Sequence, residues 1–181
     1  MTLMRDSMEK MARAVRWLDD TVLRLTLVVS GAILAVMVAV AGLGVITRFV
    51  FHASLSWSEE LDAYLFVWLT CLGAAAGVKL HAHPSVRALA DRLPARSQVA
   101  ISDVTDLVVT GLGVILIVYG GEMISLMGTE TASSLPISMI YPYLAIPVGG
   151  ALLSIHSLAH LILRHLAPER LSQDVELASH L

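Results

Sequence analysis

Residues 25–47 contain no charged side chain. About 20 apolar residues at ~1.5 Å each cross ~30 Å of hydrocarbon, so this run is long enough to span a bilayer with tilt. It is also too long for the apolar part of a signal peptide, which makes it an uncleaved first span. Uncharged runs recur at residues 63–78, 107–121 and 141–163. The expected fold is therefore an all-α integral membrane protein with four transmembrane helices, at about 22–50, 57–80, 98–126 and 141–163. Composition agrees. Only 15% of the 181 residues are charged and mean hydropathy is +0.76, where a soluble domain carries ~25% charged residues. The chain is read as one membrane domain, with little length left for a soluble one.

The first 20 residues differ in character. Met4, Met8, Met11, Val15 and Leu18 recur at helical steps, and Arg5, Lys10, Arg13 and Arg16 lie off that stripe. This predicts an amphipathic lead-in lying on an anionic membrane surface. Basic residues then set the expected topology. The lead-in holds five with Arg24 included, and the loop after the first span holds only Arg48. The loop after the second holds Lys79, Arg87, Arg92 and Arg96, the next loop holds none, and the tail (164–181) holds Arg164 and Arg170. The alternation places both termini and the central loop in the cytoplasm.

The second span has two chemically different ends. One carries Trp57, Glu59, Glu60 and Asp62, and the other carries Lys79, His81 and His83. Ser56 and Glu59 have the spacing of a helix capping box. Arg48 lies a short loop away, close enough for a salt bridge to Glu59 or Glu60. Trp57 is placed like an interfacial belt residue. Gly73 and Gly77 form a GxxxG, and Gly31, Ala35 and Ala39 form a small-residue stripe on the first span. Both patterns favour close helix packing, expected to be tightest at Gly73–Gly77. Asp103 and Asp106 suit the positive end of the third helix.

Several function classes fall away. There is no phosphate-binding glycine loop and no zinc spacing, and the net charge of −3 does not suggest a nucleic-acid partner. The lone cysteine, Cys71, reads as a packed mid-span residue. His156 and His160 share a face of the fourth helix, but two ligands one turn apart cannot clamp both faces of a haem. Hydrogen bonding between helices, or placement at the lipid interface, is the better reading for them. No nucleophile–base pair stands out, so neither an enzyme nor a cofactor is expected.

Arg48-Phe49 ending the first span, then Trp57-x-Glu59-Glu60, then residues 61–68 (LDAYLFVW) running to Gly73-Ala74, and His83 beyond the span together resemble a known family. It is the small permease subunit of tripartite ATP-independent periplasmic (TRAP) transporters, the DctQ type. The loop TETASSLPIS, with Tyr143, Ile146-Pro147 and Gly149 after it, is similar too. The resemblance implies a non-catalytic scaffold for a large permease subunit that carries the substrate and sodium sites. It also implies a periplasmic binding protein as partner, an organic acid such as a C4-dicarboxylate as substrate, and a bacterial inner-membrane location. Arg48, Trp57, Glu59, Glu60, Gly73, Gly77 and His83 are then the candidate interface or structural residues. The alternative is a free-standing four-span carrier or channel using Glu59, Glu60 and Glu122.

Overall fold

The computed structural model describes residues 2–53, 55–80 and 95–166. His81, His83, Arg87, Arg92 and the tail beyond 166 lie outside the described residues. Four helices follow one another: α1 (Thr2–Phe49), α2 (Ser56–Lys79), α3 (Ala95–Met127) and α4 (Ile140–Leu166). All four are long and apolar enough to cross a membrane, which fits a segment that must satisfy its backbone internally. Pro142 sits in the first turn of α4, where its missing N–H is harmless.

The lead-in and the first span are one uninterrupted helix of 48 residues. Met11 and Leu18 of the lead-in stripe are half exposed, and Ala12 and Asp19 turn inward instead. From residue 23 onward, the residues of α1 shielded from solvent are Leu23, Thr26, Ser30, Ile33, Met37, Val40, Gly44 and Thr47. Their steps alternate between three and four. That period of 3.5 is the seam of a left-handed helix crossing. All three hydroxyl residues of this stretch lie on it, as expected where the other faces meet lipid or a partner. At its end, His52 adopts a positive φ of 53° and the Ala53 N–H bonds the Thr47 carbonyl at 3.1 Å, which turns the chain into α2.

The helices do not form a closed four-helix ring. Among the described residues α3 packs on α4 alone, whereas α4 also meets α2 and α1, and α1 meets α2. The α3–α4 seam is the tightest. A Cβ added at Gly150 would stand 2.6 Å from the Gly113 carbonyl oxygen and 2.8 Å from the Leu116 Cβ. Gly120 receives Pro147, so the interior proline of α4 nests against a neighbour that has no side chain.

Two packing expectations are not met within this chain. The seam of α1 leaves Gly31, Ala35 and Ala39 on its exposed side. Gly73 and Gly77 likewise have nothing within 4 Å of an added Cβ. The reason is rotational. α2 turns Leu72, Ala75 and Ala76 inward, and its closest approach is Cys71, whose Cβ would be 2.7 Å from a Cβ on Gly149 of α4.

Gly150→Val should therefore lower thermal stability in detergent by about 1–3 kcal/mol, the usual cost of overpacking a rigid contact. Gly73→Val should leave the unfolding midpoint of this chain unchanged. Equal shifts for the two would contradict the packing order described.

Candidate functional site

Polar side chains gather at the two ends of the helices. At the first end, Glu60, Tyr64 and Trp68 lie one turn apart on a single face of α2. The carboxylate of Glu60 accepts the backbone N–H groups of Ser133 (2.9 Å) and Ser134 (2.6 Å), both in the α3–α4 connection. The Tyr64 hydroxyl donates to Glu60 Oε1 at 2.6 Å and stands 3.3 Å from the Met139 sulfur. The Trp68 indole N–H donates to the Tyr141 carbonyl at 3.0 Å. The connection is itself ordered by cross-bonds. Ala132 N–H reaches the Ile137 carbonyl, and Met139 N–H reaches the Glu130 carbonyl, across a bridge between Thr131 and Ser138. A polar stripe on an otherwise apolar helix thus fixes the loop and the start of α4.

The other acidic groups of α2 point elsewhere, because adjacent helical residues diverge by about 100°. Glu59 and Asp62 face α1. With Arg48, Phe49, Gly44 and Ser58 they line a cavity of about 250 Å³. The expected salt bridge from Arg48 to Glu59 or Glu60 is not made among the described residues. Arg48 and Glu59 face the cavity without pairing, and Glu60 is taken up by the loop. The capping box is not made either. α2 begins one residue earlier than that motif needs, with Leu55 at the N-cap and no side-chain cap bond. The Ser58 hydroxyl bonds the Leu55 carbonyl instead (2.8 Å). Trp57 is half-buried in the first turn.

At the opposite end a carboxylate is buried. Asp19 of α1 is 1% exposed, and it is paired with Lys79 of α2 and with His156 of α4, which is fully buried. A carboxylate only accepts, so the imidazole must present its Nδ1–H to Asp19 Oδ1, at 2.5 Å. Lys79 also lies 3.1 Å from Asp20. Beside this triad, Arg164 of α4 forks to Asp103 (2.5 Å) and Asp106 (2.8 Å) of α3. The Ser157 hydroxyl bonds the Asp106 carbonyl at 2.6 Å. Every helix contributes to this end.

The sequence marks Glu60, but neither Asp19 nor the pairing of Glu60 with Tyr64 and Trp68. The stripe was visible as polar residues at i, i+4 and i+8. Asp19 was not, because its partners lie 60 and 137 positions away. Asp103 and Asp106 serve as ion-pair partners as well as dipole complements. His156 has the expected inter-helix bond, and no group of residues able to hold a metal occurs among the described residues. Glu122 is exposed on α3, which among the described residues does not contact α2, so Glu59, Glu60 and Glu122 do not converge.

A family model described as the DctQ component of tripartite ATP-independent periplasmic transporters matches residues 37–166. The chain is 31% identical over 134 residues to a protein of Haemophilus influenzae named as a TRAP transporter small permease protein, covering 72% of this chain and 81% of that one. It is 32% identical over 108 residues to the C4-dicarboxylate TRAP transporter small permease protein DctQ of Rhodobacter capsulatus, covering 55% of this chain and 45% of that one. It is 26% identical over 111 residues to the isethionate TRAP transporter permease protein DctMQ of Oleidesulfovibrio alaskensis, covering 60% of this chain and 18% of that one.

Two outcomes follow from the two ends. Glu60→Ala should abolish hydrogen-exchange protection of the Ser133 and Ser134 amides, while Arg48→Ala leaves it intact; protection retained in Glu60→Ala would remove the clamp. Asp19→Ala strands the buried His156 and removes one partner of Lys79, and should cost about 3–5 kcal/mol in thermal unfolding, as breaking a buried ion pair does. A loss no larger than that of Asp20→Ala would show that Asp19 does not pin the helices.

Proposed function

Because this chain belongs to the DctQ component family of the tripartite ATP-independent periplasmic transporters, we propose that it acts as the static brace of a two-part permease. A small permease subunit of this kind is a membrane transport component and not an enzyme, and it works with a large permease subunit. The relative named DctMQ supports that pairing: the match covers only 18% of it, so a small-permease stretch there shares a chain with much more.

The brace reading rests on one observation. Polar bonds lock the helices at both ends, while the uncharged middles of the spans carry no charged pathway. Such a subunit resists deformation and offers no ion route of its own. The exposed sides of α1 and α3 are rich in leucine, valine and isoleucine, and they supply surface for lipid and for the large subunit. Arg48, Trp57, Glu59, Glu60, Gly73, Gly77 and His83 remain the interface or structural residues we propose, with Glu60 on the structural side. The outward-facing Gly73 and Gly77 are available for a helix of another chain.

The bias of basic residues supports an inner-membrane orientation with both termini in the cytoplasm. In that orientation the loop held by Glu60 faces the periplasm, where a substrate-binding protein would dock. The named substrates of relatives, a C4-dicarboxylate and isethionate, are organic acids. The cargo proposed here is accordingly an organic acid taken up with sodium, of which the dicarboxylate is one case.

Reconstitution tests the proposal. With the substrate-binding protein present, the large subunit and this chain together should take up substrate in liposomes, and either permease subunit without the other should not. Full-rate uptake by the large subunit alone would remove the brace, and uptake by this chain alone would restore the free-standing carrier.

A further inference from the structure

The connection between α3 and α4 is ordered beyond what joining two helices requires. Its apolar side chains, Ala132, Leu135, Ile137 and Met139, are half-buried, while Thr129, Glu130, Thr131, Ser133 and Ser134 are exposed. Those five exposed side chains make no hydrogen bond or ion pair among the described residues. The backbone beneath them is fully engaged. Thr131 pairs with Ser138 across the turn, and the crest is tied to α2, where Glu60 Oε1 takes the Ser133 amide and Oε2 the Ser134 amide. Tyr64 steadies the carboxylate in turn. The seam of α3 and α4 does not need this clamp. It is already set by Gly113 against Gly150 and by Arg164 with its two carboxylates. What the clamp fixes is the direction in which a row of free hydroxyls and one carboxylate points.

We propose that this crest is the contact on which a soluble protein with a basic surface docks, and that Glu60 is the positioning residue that orders it beforehand. The inference rests on the reading above, in which this end faces the periplasm and the soluble partner is the substrate-binding protein. The exposed side chains select that occupant. Hydroxyls and a carboxylate offer nothing to acyl chains or to an apolar helix, and the carboxylate repels anionic headgroups. Residues 97–163 contain neither lysine nor arginine, so α3, the crest and the outer part of α4 bring no cation of their own. A complementary surface must supply it. Glu60 acts without touching the partner. A loop already held in its bound shape does not have to be ordered at the moment of docking, and the affinity is higher by that amount.

The test titrates the substrate-binding protein against liposomes holding both permease subunits and reads the initial rate of uptake. In Glu60→Ala the concentration giving half-maximal uptake should rise about tenfold, the cost of ordering one residue of backbone on docking, with the maximal rate retained. Glu60→Gln keeps an acceptor oxygen for one of the two amides and should fall between. Glu130→Lys reverses the charge of the crest without touching the clamp. It should raise the same concentration while the Ser133 and Ser134 amides stay protected from hydrogen exchange. On the unaltered protein that concentration should rise with ionic strength, and this measurement needs no variant to fold. A lower maximal rate in Glu60→Ala at an unchanged half-saturating concentration would overturn the proposal, as would indifference to salt. Direct binding of the substrate-binding protein to the two-subunit permease in nanodiscs separates this contact from the brace. The brace is lost if the large subunit transports alone, and the docking contact is lost if Glu60→Ala and Glu130→Lys bind as tightly as the unaltered protein.

Discussion

Asp19 is a carboxylate on a helix that continues without a break into hydrocarbon, and it is buried to 1% exposure. Such a group is tolerable only when opposite charge and hydrogen bonds surround it. Lys79 arrives from the last turn of α2 and His156 from the interior of α4. Three helices are thereby tied at one point, and the rotation of α1 about its own axis is set. With Asp19 inward, Thr26, Ser30, Gly44 and Thr47 follow at the heptad spacing, and the glycine–alanine stripe of α1 necessarily faces out. The pairing contributes less as raw stability than as register, since a rotated α1 would bury the wrong face and strand a charge.

The second organiser is α4. Its glycines admit α3 on one side and Cys71 of α2 on another, and its carboxyl-terminal Arg164 gathers two carboxylates of α3. In a membrane, helices gain little from burying leucine against leucine, because lipid is as apolar. Close backbone approach and polar bonds decide which helices meet. These contacts converge on α4, so among the described residues α3 packs there alone. The result is an open arrangement with wide apolar faces, the geometry expected of a part that is completed by a larger neighbour.

At the other end, one short acidic stretch does two separate jobs. Glu60 holds the α3–α4 loop through its backbone amides, with Tyr64 and Trp68 continuing the contact along α2. Glu59 and Asp62 turn towards Arg48 and enclose a cavity. Three carboxylates within four residues look like one cluster in the sequence. Helical geometry divides them between two neighbours.

The sequence by itself determined the class of protein. Long uncharged runs admit only helices in a membrane, and their number was legible, as was the family resemblance carried by the motifs from Arg48 to Gly73. It also marked Glu60 and Arg48 as notable, since charges near a span are rare enough to stand out. It did not determine which face of any helix turns inward. Small-residue stripes at Gly31 and Gly73 suggested one answer and the fold took another. In a membrane helix both lipid-facing and protein-facing sides are apolar, so hydrophobic periodicity carries little information about rotation. The rotation is decided by a few polar contacts between residues far apart in the chain, Asp19 with Lys79 and His156 above all, and those exist only once the helices are assembled.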